Sequence, residues 1–337
     1  MSLFKIQNVV ILIILGLVCS LNADKLGARL GWVERAGAGS IQQNMGGTGL
    51  SNSKAQLPAF INPAIVGVQR KTQVSVGGET RSLDRRGGHL GFNSTYENHL
   101  AFGYAVLYRG DAGIELIDEN DQNIGVASPG FLRHSVALSA RRSQVESFGV
   151  SLDWSSFHPD VEGFQSYSSP ISFTVGYYRS FDNIRVGTVL RNLGFNGNLS
   201  AEEIASFENG GGAVDTKEDY YPKALELEIS HDFGAGTYYV KNSSYLLQNG
   251  LWGWDTSVWE NRLGLGLELP FWADYAIQMG YKGKYFSTEG GVPGNLSLGL
   301  SWRMLIAEED WVEWTMGAIA ERKYQYTPIH LSMRMFF

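Results

Sequence analysis

Apolar residues recur at every second position along much of this chain, a period that admits only extended structure with two chemically different faces. Leu296, Leu298, Leu300, Trp302 and Met304 alternate with Ser297, Gly299, Ser301 and Arg303. Leu263, Leu265, Leu267 and Leu269 alternate with Gly264, Gly266 and Glu268. Leu225, Leu227 and Ile229 alternate with Glu226, Glu228 and Ser230, and Leu100, Phe102, Tyr104, Val106 and Tyr108 repeat the pattern. Past the first two dozen residues, no stretch is apolar enough for a spanning helix. If such a chain crosses a membrane, its sheet must close on itself, because hydrocarbon offers no water to an unpaired strand edge.

Alternation predicts about fourteen strands of roughly nine to eleven residues, the length a tilted strand needs to cross a bilayer. They fall near 72–80, 87–95, 98–109, 130–142, 145–154, 169–179, 183–193, 223–233, 236–246, 260–269, 273–283, 293–303, 311–319 and 328–337. An even count leaves both chain ends on one side. Tight links at 96–97, 143–144, 180–182, 234–235 and 270–272 are separated by long ones near 110–129, 155–168, 194–222 and 247–259. That parity fits short periplasmic turns and longer outer loops. Within the longest loop, 201–207 reads as a short helix and 210–212 as a flexible tip. The aromatics Tyr108, Trp154, Tyr177, Phe181, Phe233, Trp272, Tyr275, Trp311 and Trp314 sit near predicted strand ends, where interfacial girdles belong. A propeller would show a repeat of blade length, and none is visible. The expected fold is therefore all-β: a transmembrane antiparallel up-and-down β-barrel.

The chain ends carry addresses of their own. Lys5, the apolar run 9–18 and Ala23 read as a secretory signal peptide spanning 1–23, since about ten apolar residues fall short of the roughly 20 a spanning helix requires. Cys19 is the only cysteine, and the bulky Val18 before it argues against lipidation. Cleavage leaves a chain without disulfides or a thiol nucleophile. At the other end Ile329, Leu331, Met333, Met335 and Phe337 share one face, and the terminal aromatic resembles the recognition signal of barrel-assembly substrates. The expected setting is the outer membrane of a Gram-negative-type bacterium, with outer-membrane lipids and the barrel-assembly machinery as partners. A net charge of -7 with no dense Lys/Arg cluster excludes a nucleic-acid partner.

Alternation leaves residues 36–67 unexplained. This segment holds Met45-Gly46-Gly47-Thr48-Gly49 and, after an Ala/Pro-containing stretch, Asn62-Pro63-Ala64. The pair resembles the N-terminal signature of the FadL and PorV/PorQ superfamily of outer-membrane barrels. Residues 186–194, ending Asn192-Leu193-Gly194, and the stretches 262–269 and 278–283 match that superfamily in order. Ile65 stands where the family more often has glycine after its NPA, and Gln278-Met279 where it has an arginine. The resemblance implies that 24–70 is a plug packed inside a barrel formed by 71–337. The residue types agree: Gly46, Gly47 and Gly49 permit close backbone approach, and Asn62-Pro63 favours a turn.

Two roles follow from the resemblance. The PorV/PorQ branch, the nearer in length, implies a non-enzymatic component of protein secretion of the type IX kind, with secreted proteins as partners. The alternative is the FadL branch, which implies passive transport of small hydrophobic compounds or fatty acids through a plugged barrel with a lateral opening. Its ligand would be held by Leu57, Phe60, Ile61, Phe157, Phe164, Phe195 and Phe207, with Tyr167 nearby.

The chain carries little sign of catalysis. His89, His99, His134, His158, His231 and His330 are scattered, with no HExxH spacing and no GxSxG elbow. His134 and Ser135 are neighbours on a strand and so point to opposite faces. Neither enzyme activity, cofactor nor metal is expected. Glu226, Glu228, Glu268, Asp153, Arg141, Arg185, Arg191, Arg303 and Arg334 all fall on the luminal parity, where they are expected to pair with one another and with the plug. An Arg or Lys facing lipid at the midplane would cost about 2–4 kcal/mol.

Overall fold

The computed structural model describes residues 38–80, 86–96, 99–110, 114–117, 123–128, 130–158, 167–168, 171–194, 223–246, 259–272, 274–286, 294–306, 310–320 and 329–337. The expected signal peptide, the helix at 201–207 and the tip at 210–212 lie outside these residues. The strands are β1 (Gln73–Thr80), β2 (Arg86–Tyr96), β3 (Leu100–Gly110), β4 (Ile114–Ile117), β5 (Asn123–Ala127), β6 (Gly130–Ser143), β7 (Glu146–His158), β8 (Tyr167–Ser168), β9 (Ser172–Phe181) and β10 (Ile184–Gly194). They continue as β11 (Lys223–Asp232), β12 (Thr237–Leu246), β13 (Trp259–Trp272), β14 (Tyr275–Phe286), β15 (Asn295–Leu305), β16 (Trp311–Ala320) and β17 (Ile329–Phe336).

Fourteen of these form one closed antiparallel ring, from which β4, β5 and β8 are set apart. Each neighbour in the ring is the next ring strand in sequence, and β1 pairs with β17 to close it. Gln73 stands opposite Phe336 and Glu79 opposite His330, while the Phe337 amide donates to the Thr72 carbonyl at 3.0 Å. The wall thus has no free edge, as a spanning sheet requires.

Side-chain parity follows the alternation. On β3, Leu100, Phe102 and Tyr108 are exposed while Ala101, Gly103, Ala105, Leu107 and Arg109 are buried. On β15, Leu296 and Leu298 face out at 62% and 58% exposure, and Ser297 and Ser301 face in, nearly buried. An outer surface of leucine, valine and phenylalanine around the whole ring is compatible only with hydrocarbon. Rings gather near the rim where strands meet by short turns: Phe271, Trp272 and Tyr275 lie 5.7–6.0 Å apart, and Trp302 stacks on Trp314.

Three details differ from the expected layout. Pro270, expected in a turn with 271–272, belongs to β13 opposite Ala276, at a register shift between Pro270 and Trp272. A bulge at the end of a ladder accommodates the missing N–H. The region read as one loop over 110–129 contains the β4–β5 hairpin, and β7 continues to His158 in what was expected to be loop.

Before β1 the chain forms three short helices, α1 (Ser40–Asn44), α2 (Pro58–Ile61) and α3 (Pro63–Val66). Their side chains are buried without exception. Asn62 ends α2 and caps α3, its Oδ1 accepting from the Ala64 amide at 3.1 Å, and Pro63 starts α3 where no N–H is needed. Helix α1 contacts β14 to β17 and α3 contacts β2, β3, β6, β7 and β9, so the segment touches opposite arcs of the ring.

On the outer face, Leu298→Arg is predicted to lower the unfolding free energy in lipid vesicles by about 2–4 kcal/mol. The luminal neighbour change Ser297→Thr should cost far less. Equal costs in denaturant titrations would contradict this assignment of faces.

Candidate functional site

The candidate site is the interface between the inner segment and the wall. The segment approaches the wall so closely that inward positions around the ring are glycine where it docks. A Cβ on Gly280 would overlap the backbone of Met45 and Gly46; on Gly187, the backbone of Leu50 and Ser51; on Gly149, that of Pro63 and Ala64. Gly299 and Gly317 face each other across the β15–β16 ladder, and both abut the Asn44 side chain. Gly149 and Gly176 form a similar pair across β7–β9, against Pro63 and Asn62. The segment's own glycines meet them from inside: Gly46, at φ 66°, has the Tyr281 and Leu265 carbonyls where a Cβ would sit, and Gly47, at φ 80°, has the Lys282 side chain.

Polar contacts fix the segment between these approaches. Glu228 Oε2 accepts from the Gly49 amide at 2.6 Å, and its Oε1 from the Ser51 amide at 2.8 Å and the Ser51 hydroxyl at 2.7 Å. One buried carboxylate thus serves three donors of an irregular stretch. On the same strand, Glu226 pairs at 2.6 Å with Arg191, which donates to the carbonyls of Phe60 and Ile61, and at 2.7 Å with Lys241, which reaches the Gly47 carbonyl at 3.2 Å. A second charged group holds residues 54–55: Arg334 pairs with Glu313 at 2.6 Å and donates to the carbonyls of Lys54 and Ala55, while Arg303 pairs with Glu313 at 2.7 Å. Asn62 Nδ2 donates to the Leu50 and Tyr177 carbonyls, and Asn44 Nδ2 to Gln278 Oε1 at 2.8 Å.

The remaining charges of the expected luminal set are placed as follows. Asp153 lies 3.7 Å from Arg133 and accepts from Thr174 at 2.7 Å; Arg185 pairs with Asp232 at 2.6 Å; Glu268 is 3.9 Å from Lys54. Arg141 stands opposite the buried Ser147 at the short-turn rim, without an ion pair among the described residues. Sequence reading missed the Arg109–Glu79 pair at 2.8 Å, although both residues sit on inward parity. It also missed the docking role of the wall glycines, whose recurrence at inward mid-strand positions was the available signal.

Most of the segment's apolar residues collect in one cluster, while Ile41 and Met45 pack separately with Tyr239. Leu50, Leu57, Ala59, Phe60, Ile61, Ile65 and Val66 pack with the wall residues Ala101, Ala105, Leu107, Phe131, Ala137 and Val189. Leu57, Phe60 and Ile61 of the expected ligand pocket are therefore members of a packed cluster, at most 7% exposed. The side chain of Phe157, and Phe164, Phe195 and Phe207 entirely, lie outside the described residues, as does the side chain of Tyr167. Leu107, Phe131 and Arg191 lie in the half of their strands nearer the long loops. There β10 is bulged: its register with β9 shifts between Leu190 and Leu193, and Asn192 adopts φ 55°. Arg133 lies 5.8 Å over the Phe60 ring and reaches Asn192, so the bulge and the apolar cluster adjoin.

Near the short-turn rim are open spaces of about 430, 390 and 310 Å³. The two smaller ones share Lys54, Asp274 and Arg303. No group of three metal-ligating side chains occurs among the described residues, and His134 faces outward, stacked on Trp154 at 5.0 Å, while Ser135 faces inward to the Ala59 carbonyl.

No family model matches the sequence, and no curated protein matches it. Solved structures do. The CymD monoaromatic hydrocarbon channel superposes with a TM-score of 0.59 at 15% identity, covering 89% of this chain and 97% of that one. A Pseudomonas aeruginosa FadL homologue gives 0.56 at 11% identity over 89% and 98%, and the Pseudomonas putida toluene transporter TodX gives 0.55 at 14% over 89% and 96%. At such identities the likeness is one of fold, over nearly the whole of both chains.

Removing the carboxylate in Glu228→Ala strands three donors and is expected to cost at least about 2 kcal/mol. Gly187→Val should displace residues 50–51. In both variants limited proteolysis of the folded barrel is expected to cut within 38–70 much faster than in the parent; unchanged resistance would contradict the docking described.

Proposed function

We propose that this chain is an outer-membrane channel that passes small hydrophobic molecules, with residues 24–70 as its plug after loss of a signal peptide at 1–23. The apolar outer face supports placement in a bilayer, and the short turns are assigned to the periplasmic side. The observation that carries the reading is the apolar cluster around Leu57, Phe60 and Ile61, which runs along the lumen from Ala101 in the short-turn half to Leu107 and Phe131 near the long-loop end. The cluster packs the plug against the wall, and a lumen lined only by polar groups would offer a hydrophobic solute no such apolar surface.

The bulge at Asn192 supplies the nearest irregularity in the wall, and Phe60 lies beside it. A hydrophobic solute that reached Phe60 from the loops would leave sideways there into the bilayer, because the route straight down meets the charged groups around Glu226 and Glu313. By contrast β3 pairs with both neighbours over its whole length with no shift of register, so the opening is not assigned to it. The fold likeness to hydrocarbon channels favours this reading over the secretion role implied by the PorV/PorQ branch, which has no counterpart among the neighbours named above. No covalent chemistry is assigned to the chain.

Deletion of the gene is expected to slow uptake of a labelled aromatic hydrocarbon or fatty acid while secretion of surface proteins continues, and re-expression should restore uptake. Normal uptake with failed secretion would reverse the choice between the two roles.

A further inference from the structure

Two cavities at the short-turn mouth differ in charge character. Six inward arginines, Arg109, Arg133, Arg185, Arg191, Arg303 and Arg334, each lie within 4.0 Å of a carboxylate. Arg141 is inward by register yet takes part in none of the ion pairs among the described residues, and neither does Arg70. Both line the same space of about 430 Å³ at the short-turn mouth, together with Thr95, His99, Ser143 and Gln144. Among the described residues that line it none is a carboxylate, and Arg70, His99, Arg141, Ser143 and Gln144 all carry side-chain donor groups. The neighbouring space of about 310 Å³ is the contrast, because there Asp232, Glu268 and Glu313 balance Arg185, Lys54 and Arg303.

The walls of the cavity are held in place. Gln69, just before Arg70, donates to the carbonyls of Ser53 and Ala55 at 3.1 and 2.9 Å, and its own carbonyl accepts from the Thr95 hydroxyl at 2.6 Å. On the opposite wall the Arg141 amide donates to the His99 carbonyl at 2.7 Å. Arg70 itself is bound only to Gln144 Oε1, at 3.2 Å, among the described residues. Two guanidinium forks lining one water-accessible space, with no acid between them among the described residues, favour an anion with several acceptor oxygens there.

We propose that Arg70 and Arg141, with the Ser143 and His99 side chains around them, form a binding site for a phosphate group at the short-turn mouth. The group belongs either to inorganic phosphate or to an anionic lipid headgroup at the rim. This site is independent of the hydrophobic route, since it lies at the opposite end of the lumen from Phe60.

The test uses the intact barrel in zwitterionic, phosphate-free detergent. One arm titrates inorganic phosphate calorimetrically; the other adds phosphatidylglycerol and scores retained lipid by native mass spectrometry. At least one probe is expected to bind saturably, and Arg70→Gln and Arg141→Gln should each weaken it by at least about tenfold. Arg141→Lys should keep part of the affinity, and Arg142→Gln, at an exposed arginine beside Glu146, should keep all of it. Heat-modifiable gel migration shows whether each variant remains a folded barrel. Phosphate binding assigns the free ion and lipid retention alone assigns the headgroup. Binding of neither probe, binding unchanged in both glutamine variants, or equal loss in Arg142→Gln would overturn the site.

Discussion

Everything in this molecule depends on one requirement: in hydrocarbon, each strand's backbone groups must be paired by its two neighbours. Closure of β1 on β17 meets that requirement, and it sorts side chains strictly by parity. The outer positions become leucine, valine and aromatic rings because they meet lipid tails. The inner positions are then free to be small or polar, and a fourteen-strand ring is wide enough to enclose more chain. The inner segment uses that freedom.

How the segment is held follows from its irregularity. A stretch with three very short helices has many amides and carbonyls that its own structure does not satisfy. The wall supplies their partners: Glu228 takes the donors of Gly49 and Ser51, and Arg191 and Arg334 reach the carbonyls of Phe60, Ile61, Lys54 and Ala55. Burying such charges is costly unless each is paired and hydrogen-bonded, and the Arg191–Glu226–Lys241 and Arg303–Glu313–Arg334 groups meet that condition. Between the clamps, inward glycines let backbone meet wall. Polar clamps and close backbone approach together hold Phe60 and its apolar neighbours against the wall.

Much of the wall was legible in the sequence because lipid and lumen write opposite residue types at alternate positions. Each of the fourteen expected strands overlaps an observed one, and the terminal run from Ile329 has the expected faces. Boundaries were less legible. Pro270 reads locally as a turn residue, and only the ladder reveals that it sits at a bulge. Gly264, Gly266 and Gly280 read as unremarkable members of a small-residue face, since nothing local tells that another part of the chain presses on them from inside. Likewise nothing local tells that Leu57 and Phe60, read as candidates for a ligand pocket, share one buried cluster with Ala101, Ala105 and Phe131, distant in sequence. Periodicity reports which medium a side chain meets, and long-range docking has no such local signature.

The central claim is that residues 38–70 are docked on the inner wall of the closed ring, and it is tested most directly at Ser51 and Ser230, whose hydroxyl oxygens lie 2.9 Å apart. In the double variant Ser51→Cys/Ser230→Cys, purified as the folded barrel in detergent, mild oxidation is predicted to join the two positions by a disulfide, seen as a linked peptide pair after digestion. Both thiols remaining open to alkylation under those conditions, in a barrel that is otherwise folded, would contradict the account.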